Sequence, residues 1–424
     1  MTLVKLGRRY ARNALRNLAL IPSAPSVGAF FGAPFGSETV LVLGAGPSLD
    51  GLLEGLCGAF GEALSGPDLS GPGLGKIAGR SNAAKRHFRI IAVDTALPPL
   101  LDRNIRPDLV VALECQHWNL RDFIGAAPRK IPAAMDLSAL PATAGALGGP
   151  VYLFATPWTD LALFRRLSAA ALLPCAVPPL GSVGLTAVAL ACRLSRGTIL
   201  TGGLDFSFTL DAYHARGTAG HRDRLREQDR FHGVINAAAA FRRGSFPARS
   251  KTGAPVRSDP AMTAYRDLFE GEFARGGRVR DIAGPGLPLG VPVLSLAEAL
   301  ACLREAEGTG EAAALPSPEN APGPAETCAF VRGERDALIR LRDILTGDVP
   351  PPPPDRFEAL LDEADFLWAH FPDCAATGGR RPAATDRSFL KRVRVEIDPF
   401  IALLDRVLGE LGAESGHPRI SASR

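Results

Sequence analysis

Several features are missing from this sequence, and each absence removes a class of function. Its seven cysteines (Cys57, Cys115, Cys175, Cys192, Cys302, Cys328 and Cys374) are odd in number and widely scattered. None forms a C-x-x-C pair or stands beside a histidine at metal-ligand spacing. Disulfide frameworks and zinc sites are thereby disfavoured, and a reducing, cytoplasmic location is expected. No long block of one charge sign occurs: the formal net charge is +4 over 424 residues, with bases and acids interspersed. Nucleic acid is not an implied partner. The N-terminal stretch carries Lys5, Arg8, Arg9, Arg12 and Arg16, with no acid before Glu38. The apolar run behind it is short and is broken by Pro22 and Pro25, so it makes neither a secretory h-region nor a membrane span. The expectation is a basic surface helix packed on the domain.

What is present is an ordinary globular composition, 46% hydrophobic, long enough to bury a large core and to divide into two domains. TVLVLGAGPSLDGLLEGL reads as a strand from Thr39 to Leu43, a glycine turn, and a helix starting near Pro47 or Ser48. The stretch from Gly61 to Lys76 reads as a loop insertion. RIIAVDTAL is then a strand ending at Asp94, and DLVVALE another ending at Glu114. Near-continuous Val, Ile and Leu in these strands predicts burial on both faces, as in a parallel sheet. PVYLFAT and GTILTGGLDFSF add strands around the helix GLTAVALACRL, which gives an α/β, doubly wound, Rossmann-like fold. Two proline-rich stretches, LPSPENAPGPAE and VPPPPPD, read as linkers. The sequence around them has helical spacing only. The expected organisation is an N-terminal helix and connector over 1–36, the sheet domain over 37–305, a linker over 306–325 and a helical region over 326–424.

Candidate chemistry gathers where the strands end, because ligands of open α/β sheets sit beyond the carboxyl ends of the strands. Gly44 and Gly46 let a backbone approach a phosphate, and Ser48 either caps the next helix or donates to the ligand. The third glycine of the dinucleotide fingerprint is missing, which disfavours a nicotinamide or flavin enzyme. Asp94, Glu114 and Asp205 fall at or near strand ends, where carboxylates meet a ribose, a metal ion or a reacting hydroxyl; a helix cap is the other reading of each. At Gly181, Ser182 and Val183 a second glycine turn opens a helix, offering either an anion site or a plain N-cap. His214, Arg216, His221 and Arg222 share one polar loop, with histidine suited to taking a proton from an acceptor hydroxyl.

VLVLGAGPSLD, IIAVDTALPPLLDRNIRPDLVVALE, PLGSVGLTAVALACRL, and ILTGGLDFSF followed by YHARGT resemble, in order and relative position, the MptE-like family. That family includes 6-hydroxymethylpterin diphosphokinases and the Maf motility-associated glycosyltransferases. The resemblance covers roughly residues 10–300, and SKTGAPVRSDPAMTAYRDLFEGEF is similar to a segment of the Maf branch, a Lys-x-Gly turn and a Ser-Asp pair leading into a long helix. The family's catalytic domain in turn resembles bacterial sialyltransferases that use a CMP-activated sugar. The resemblance implies a nucleotide loop at Gly44, Gly46, Pro47 and Ser48, a polar contact at Asp94, and a second strand end at Gly203, Asp205 and Phe206. His214 is then the nearest match to the general base, with His221 and His232 as alternatives, and Asp205 the carboxylate candidate. Ala45 stands where the sialyltransferases carry asparagine, and Maf proteins are longer, with an additional amino-terminal domain.

Three readings follow from the resemblance. The first is glycosyl transfer from a CMP-nonulosonic acid donor to a protein acceptor such as flagellin, with no metal ligands assigned. The second is diphosphoryl transfer from ATP to a pterin alcohol, which requires Mg²⁺; the segment LECQHWN lacks the aspartates that diphosphokinases carry after the third strand. The third is a nucleotide-binding or scaffolding module without turnover.

Overall fold

The computed structural model describes residues 2–31, 35–65, 86–157, 160–231, 233, 242–306 and 321–414. The first helix, α1, spans Thr2–Asn17. The sheet unit follows, with β1 Thr39–Leu43, α2 Leu49–Phe60, β2 Phe88–Val93, α3 Leu97–Asp102, β3 Leu109–Ala112, β4 Ile131–Asp136, α4 Thr143–Leu147 and β5 Gly148–Phe154. After these come α5 Ala162–Ala169, α6 Val183–Leu194, β6 Ile199–Gly202, α7 Ala219–Glu227, the hairpin strands β7 Phe246–Arg249 and β8 Pro255–Ser258, α8 Pro260–Phe273, β9 Val279–Ile282, β10 Val293–Leu294 and α9 Leu296–Arg304. The helical region holds α10 Pro324–Thr346, α11 Pro354–Glu363, α12 Pro372–Ala376 and α13 Arg387–Glu414.

Eight strands form one sheet in the order β10-β9-β6-β1-β2-β3-β4-β5, and every pairing in it is parallel. The α/β, doubly wound, Rossmann-like expectation is met. All five residues of β1 are buried, as an unbroken apolar run in a central parallel strand requires. From β1 the chain winds outward through β2 to β5, then returns through α6 to place β6 on the other side of β1. The strand order therefore reverses between β1 and β6. That crevice is the topological switch point.

The observed elements differ in detail from the sequence reading. β3 stops at Ala112, so Glu114 stands on the following loop, and β6 stops at Gly202, so Asp205 also lies beyond its strand. β4, the β7–β8 hairpin, β9 and β10 are additions, all of them six residues or shorter. Most of the loop insertion after Leu64, and most of the first proline-rich linker, lie outside the described residues. The second proline stretch leads directly into α11.

α1 is more than a surface helix. Its Ala11, Ala14 and Leu15 are buried. Asn13 donates to the carbonyls of Cys115 and Ser138, both at 3.1 Å, and Asn17 to those of Leu137 and Ala139, both at 2.8 Å. On its basic side Arg8 pairs with Glu396 at 2.5 Å and Arg16 with Glu410 at 2.6 Å, both on α13. α13 packs in turn along α10. A further tie joins the sheet unit to the helical region: Arg166 of α5 grips Glu334 through two bonds of 2.6 and 2.7 Å, and the amide of Ala162 donates to Asp365 at 2.7 Å. Among the described residues no helix is long and apolar enough to cross a membrane.

Asn17 is fully buried and satisfies two carbonyls that have no access to water. Replacing it with Leu, of similar size, leaves both acceptors bare at about 1–3 kcal/mol each. We expect Asn17→Leu to lower unfolding free energy by about 2–4 kcal/mol in urea titration. A loss under about 0.5 kcal/mol would show that α1 is not anchored through this side chain.

Candidate functional site

The carboxyl ends of β1 and β6 are followed by two loops that touch backbone to backbone. The amide of Gly46 donates to the carbonyl of Gly203 at 2.8 Å. A Cβ on Gly44 would stand 2.4 Å from the Gly203 carbonyl oxygen, and a Cβ on Gly203, whose φ is +75°, would stand 2.3 Å from that of Gly44. Both positions must be glycine for the loops to meet. Gly46 obeys a different constraint, since its Cβ would lie 2.5 Å from Oδ2 of Asp205.

Asp205 is the clasp between the loops. Its Oδ2 accepts the amide of Ser48 at 2.7 Å, its Oδ1 accepts the Ser48 hydroxyl at 2.5 Å, and the Ser48 oxygen accepts the amide of Gly203 at 3.2 Å. Ser48 precedes α2 without a side-chain capping bond, because its hydroxyl is committed to Asp205. Burial pushes the Asp205 carboxyl up, against the Ser48 hydrogen bonds and the charge of Lys251. Lys251 stands in a buried ion pair with Asp281, whose other oxygen accepts the Thr201 hydroxyl at 3.0 Å. Burial pushes Asp281 up to about 6, opposed by Lys251. At the far side of the sheet Asp136 ends β4 in the same way. It accepts from the backbone and hydroxyl of Ser138 and of Thr156, closing β4 against β5.

Above the clasp lies a cavity of about 390 Å³, lined by Gly44, Ala45, Gly46, Gly203, Asp205, Phe206, Ser182 and His214. Pro47 and Ser48 are not among its lining residues. Ser182 precedes α6 without a side-chain capping bond, and the first-turn amides of a helix lack intrahelical acceptors, so this edge suits an anion. Phe206 is held in the left-handed region at φ +47°, an unfavourable conformation for an aromatic residue, and packs on Tyr265 and Phe269. The loop bearing His214 is fixed by the amide of Ala215, which donates to the carbonyl of Ala45 at 2.9 Å. Burial, with the charges of Arg224 and Arg121, holds His214 down to about 4, so its imidazole is uncharged at neutral pH. His221 uses its Nδ1 to accept the amide of Gly217 at 3.3 Å. His232 lies outside the described residues.

A second cavity of about 700 Å³ adjoins the first over β2 to β5 and shares Thr95, Val183 and Tyr265 with it. Asp94, Glu114 and Gly181 line this larger space, so the structure divides the sequence candidates between two neighbouring cavities. Asp94 is buried; its Oδ1 accepts the amide of Thr95 at 2.8 Å and its Oδ2 the side-chain amide of Asn119 at 3.0 Å. The same Asn119 nitrogen donates to Oδ2 of Asp122 at 3.2 Å. Burial raises Asp94 to about 6, and burial together with the Asp94 charge raises Asp122 to about 7. Asn119 and Asp122 were not among the sequence candidates. Their N-x-x-D spacing, just past a strand end, is the signal that marks them.

The segment that resembles the Maf branch also has a physical role. Lys251 is the buried cation described above, Ser250 turns the chain by accepting the amide of Ala254 at 3.0 Å, and Asp259 caps α8 by accepting the amides of Ala261 and Met262, both at 2.9 Å. Arg242, on the wall of the smaller cavity, pairs with Asp259.

Residues 70–211 match the family model described as 6-hydroxymethylpterin diphosphokinase MptE-like. A protein of Treponema pallidum (strain Nichols), described as uncharacterized, is 31% identical over 428 residues, covering 97% of this chain and 69% of that protein. The structure of a MAf glycosyltransferase from Magnetospirillum magneticum AMB-1 superposes with a TM-score of 0.48 at 14% identity, over 97% of this chain. The chain spans 61% of the length of that glycosyltransferase.

Two substitutions test the clasp. Gly46→Val forces a branched side chain into the Asp205 carboxylate and should cost about 1–3 kcal/mol of stability; an unchanged melting curve would show that the loops do not meet as described. Asp281→Leu leaves the Lys251 ammonium, whose side chain is 2% exposed, without its partner. A loss of about 3–5 kcal/mol is expected in chemical denaturation, and a loss below about 1 kcal/mol would place Lys251 in contact with water.

Proposed function

Because this chain belongs to the MptE-like family, we propose that it is a nucleotide-dependent transferase, and specifically a Maf-type glycosyltransferase moving a nonulosonic acid from a CMP donor to a protein acceptor such as flagellin. The observation that carries this reading is the pair of adjoining cavities, one at the switch point over the glycine loops and one beside it over the acid-lined strand ends. A transfer reaction needs two reactants side by side, and positioning them is a large part of its catalysis. The nucleotide occupies the smaller cavity. Its phosphate meets the amides at the start of α6 and the Ser182 hydroxyl, and Gly44, Gly46 and Gly203 present backbone along its length. His214 and Phe206 close the wall of that cavity. The buried Lys251 and the Asp259 cap give the Lys-x-Gly and Ser-Asp features of the Maf branch a structural reason in this chain.

Diphosphoryl transfer to a pterin alcohol is the second reading, favoured by the description of the matching family model. It requires Mg²⁺, which prefers carboxylate and water oxygens. Among the described residues no three His, Cys, Asp or Glu side chains are grouped to hold a metal ion. Asp94 and Asp122 are bridged by the amide nitrogen of Asn119, a donor standing where a cation needs an acceptor. The residues do not fit that ion, so the glycosyl reading is preferred.

Incubating the full chain with CMP-nonulosonates should release CMP, with the rate unchanged by EDTA. ATP should remain intact under the same conditions. ATP cleavage that depends on Mg²⁺, with every CMP-sugar untouched, would reverse the order of the two readings.

A further inference from the structure

The transfer reaction needs a group to take the proton of the attacking hydroxyl, and the two groups nearest the glycine loops are poorly suited to it. Both oxygens of Asp205 are engaged by Ser48. His214 is uncharged at neutral pH but has been made a weak base by burial and by two arginines. The larger cavity holds a different arrangement. Asp94, Asn119 and Asp122 line it together, at 3%, 6% and 6% exposure. One amide nitrogen spans the two carboxylates, at 3.0 and 3.2 Å. The opposite orientation would set the amide's carbonyl oxygen against both acids in their ionised form. Asn119 Oδ1 is buried with no hydrogen-bond partner among the described residues.

We propose that the larger cavity receives the acceptor hydroxyl and that Asp122 removes its proton, with Asn119, whose amide nitrogen bonds both carboxylates, as a positioning residue. This assignment rests on the transferase reading above. In the step, the acceptor O–H proton passes to the Asp122 carboxylate as the oxygen's electron pair forms a bond to the anomeric carbon. The bond from that carbon to the phosphate oxygen breaks, and its electron pair leaves with the nucleotide monophosphate. Asp122 then returns the proton to solvent. Thr95 lines both cavities and donates to Asp94, so the acid pair is tied to the wall of the nucleotide cavity.

The charged groups facing Asp122 are Asp94 from the end of β2, Arg121 on its own segment, and Asp223 of α7, which pairs with Arg121 at 2.5 Å. Burial and the two acids raise Asp122, Arg121 and the Asn119 amide lower it, and the balance stands at about 7. A base must be ionised, so activity is lost as pH falls through that value and is full above it.

The experiment follows CMP release from a CMP-nonulosonate, with water as the acceptor, from about pH 5 to about pH 9. Melting temperature and CMP affinity are measured in parallel. Asp122→Asn should lower kcat by roughly 10²–10⁴-fold, leave CMP affinity within about threefold, and remove the acid limb of the profile. Asn119→Leu, which deletes the hydrogen bond at constant size, should move that limb to higher pH. A mere packing role would not move it. His214→Ala should weaken donor binding and leave the acid limb in place.

If Asp122→Asn keeps its rate within about threefold with the limb intact, or if the limb disappears in His214→Ala instead, the assignment is overturned while the transferase reading stands. Should Asp122→Asn fail to fold, Asn119→Leu decides, and an unmoved limb overturns the proposal. Wild-type protein that binds CMP but releases none from any donor overturns the transferase reading, and this assignment with it.

Discussion

The carboxylate of Asp205 sets the spacing of the switch point. By taking both donors of Ser48 it locks the loop after β1 to the loop after β6, the two strands between which the chain reverses direction. Its surroundings are built to accept a buried charge. A Cβ on Gly286 would stand 2.7 Å from its Oδ1, and the amide of Leu287 donates to its carbonyl at 2.8 Å, so the segment after β9 is drawn in as well. Lys251 lies close enough to favour the ionised form, while bonded to Asp281. One ammonium thus serves two buried acids, and Thr201 satisfies a further oxygen of the second. Such a network tolerates no missing member, because each charge is desolvated on the assumption of its partner. The two glycine loops are joined through it.

This geometry explains why the glycines alone are ambiguous as a functional signal. Gly44 and Gly203 are needed for backbone contact, and Gly46 is needed beside Asp205, whether or not a phosphate ever approaches. A sequence reader sees the G-x-G and thinks of a ligand. The stronger local evidence is conformational: Phe206, at φ +47°, is strained in the wall of the cavity, and α6 starts there with its first turn uncapped by Ser182. An uncapped helix start of this kind suits an anion.

Much of the fold was legible because parallel strands buried on both faces must be apolar throughout. β1, β2, β3, β5 and β6 were found that way, with ends misplaced by up to a few residues where glycine or an acid extends the run. β4 was hidden because IPAAMD has a proline and two alanines in place of branched residues, and β9 and β10 because so few residues carry so little pattern. Gly44, Gly46, Asp94, Glu114, Gly181, Ser182, Asp205 and His214 were legible as strand-end or loop residues, Gly203 and Phe206 through the resemblance, and all of these line one of the two cavities. Ser48 was legible as polar but not as the partner of Asp205, a pairing 157 residues apart in sequence. Asn119 and Asp122 were missed for a different reason. The segment after β3 was judged by the absence of aspartates in LECQHWN, and the acid that meets Asp94 arrives just beyond it.

The larger cavity also explains the placing of the helical region. Tyr10 of α1 lines the cavity, and burial raises its hydroxyl well above the usual tyrosine range. Three residues on, Asn13 holds the carbonyls of Cys115 and Ser138, on the loops that follow β3 and β4, and Ser138 lines the same cavity. One side of α1 is therefore part of the cavity wall. The opposite side rests on α13, and the ion pairs there contribute little by themselves, since Arg8 is 43% exposed and Glu410 is 42% exposed at their side chains. Apolar packing has to supply the attachment: the buried core is continuous from Ala11 through Leu404, Val407 and Leu411. The smaller cavity stands on the Asp205 clasp and the larger one on a helix that belongs as much to the C-terminal region as to the sheet, with Thr95, Val183 and Tyr265 lining both.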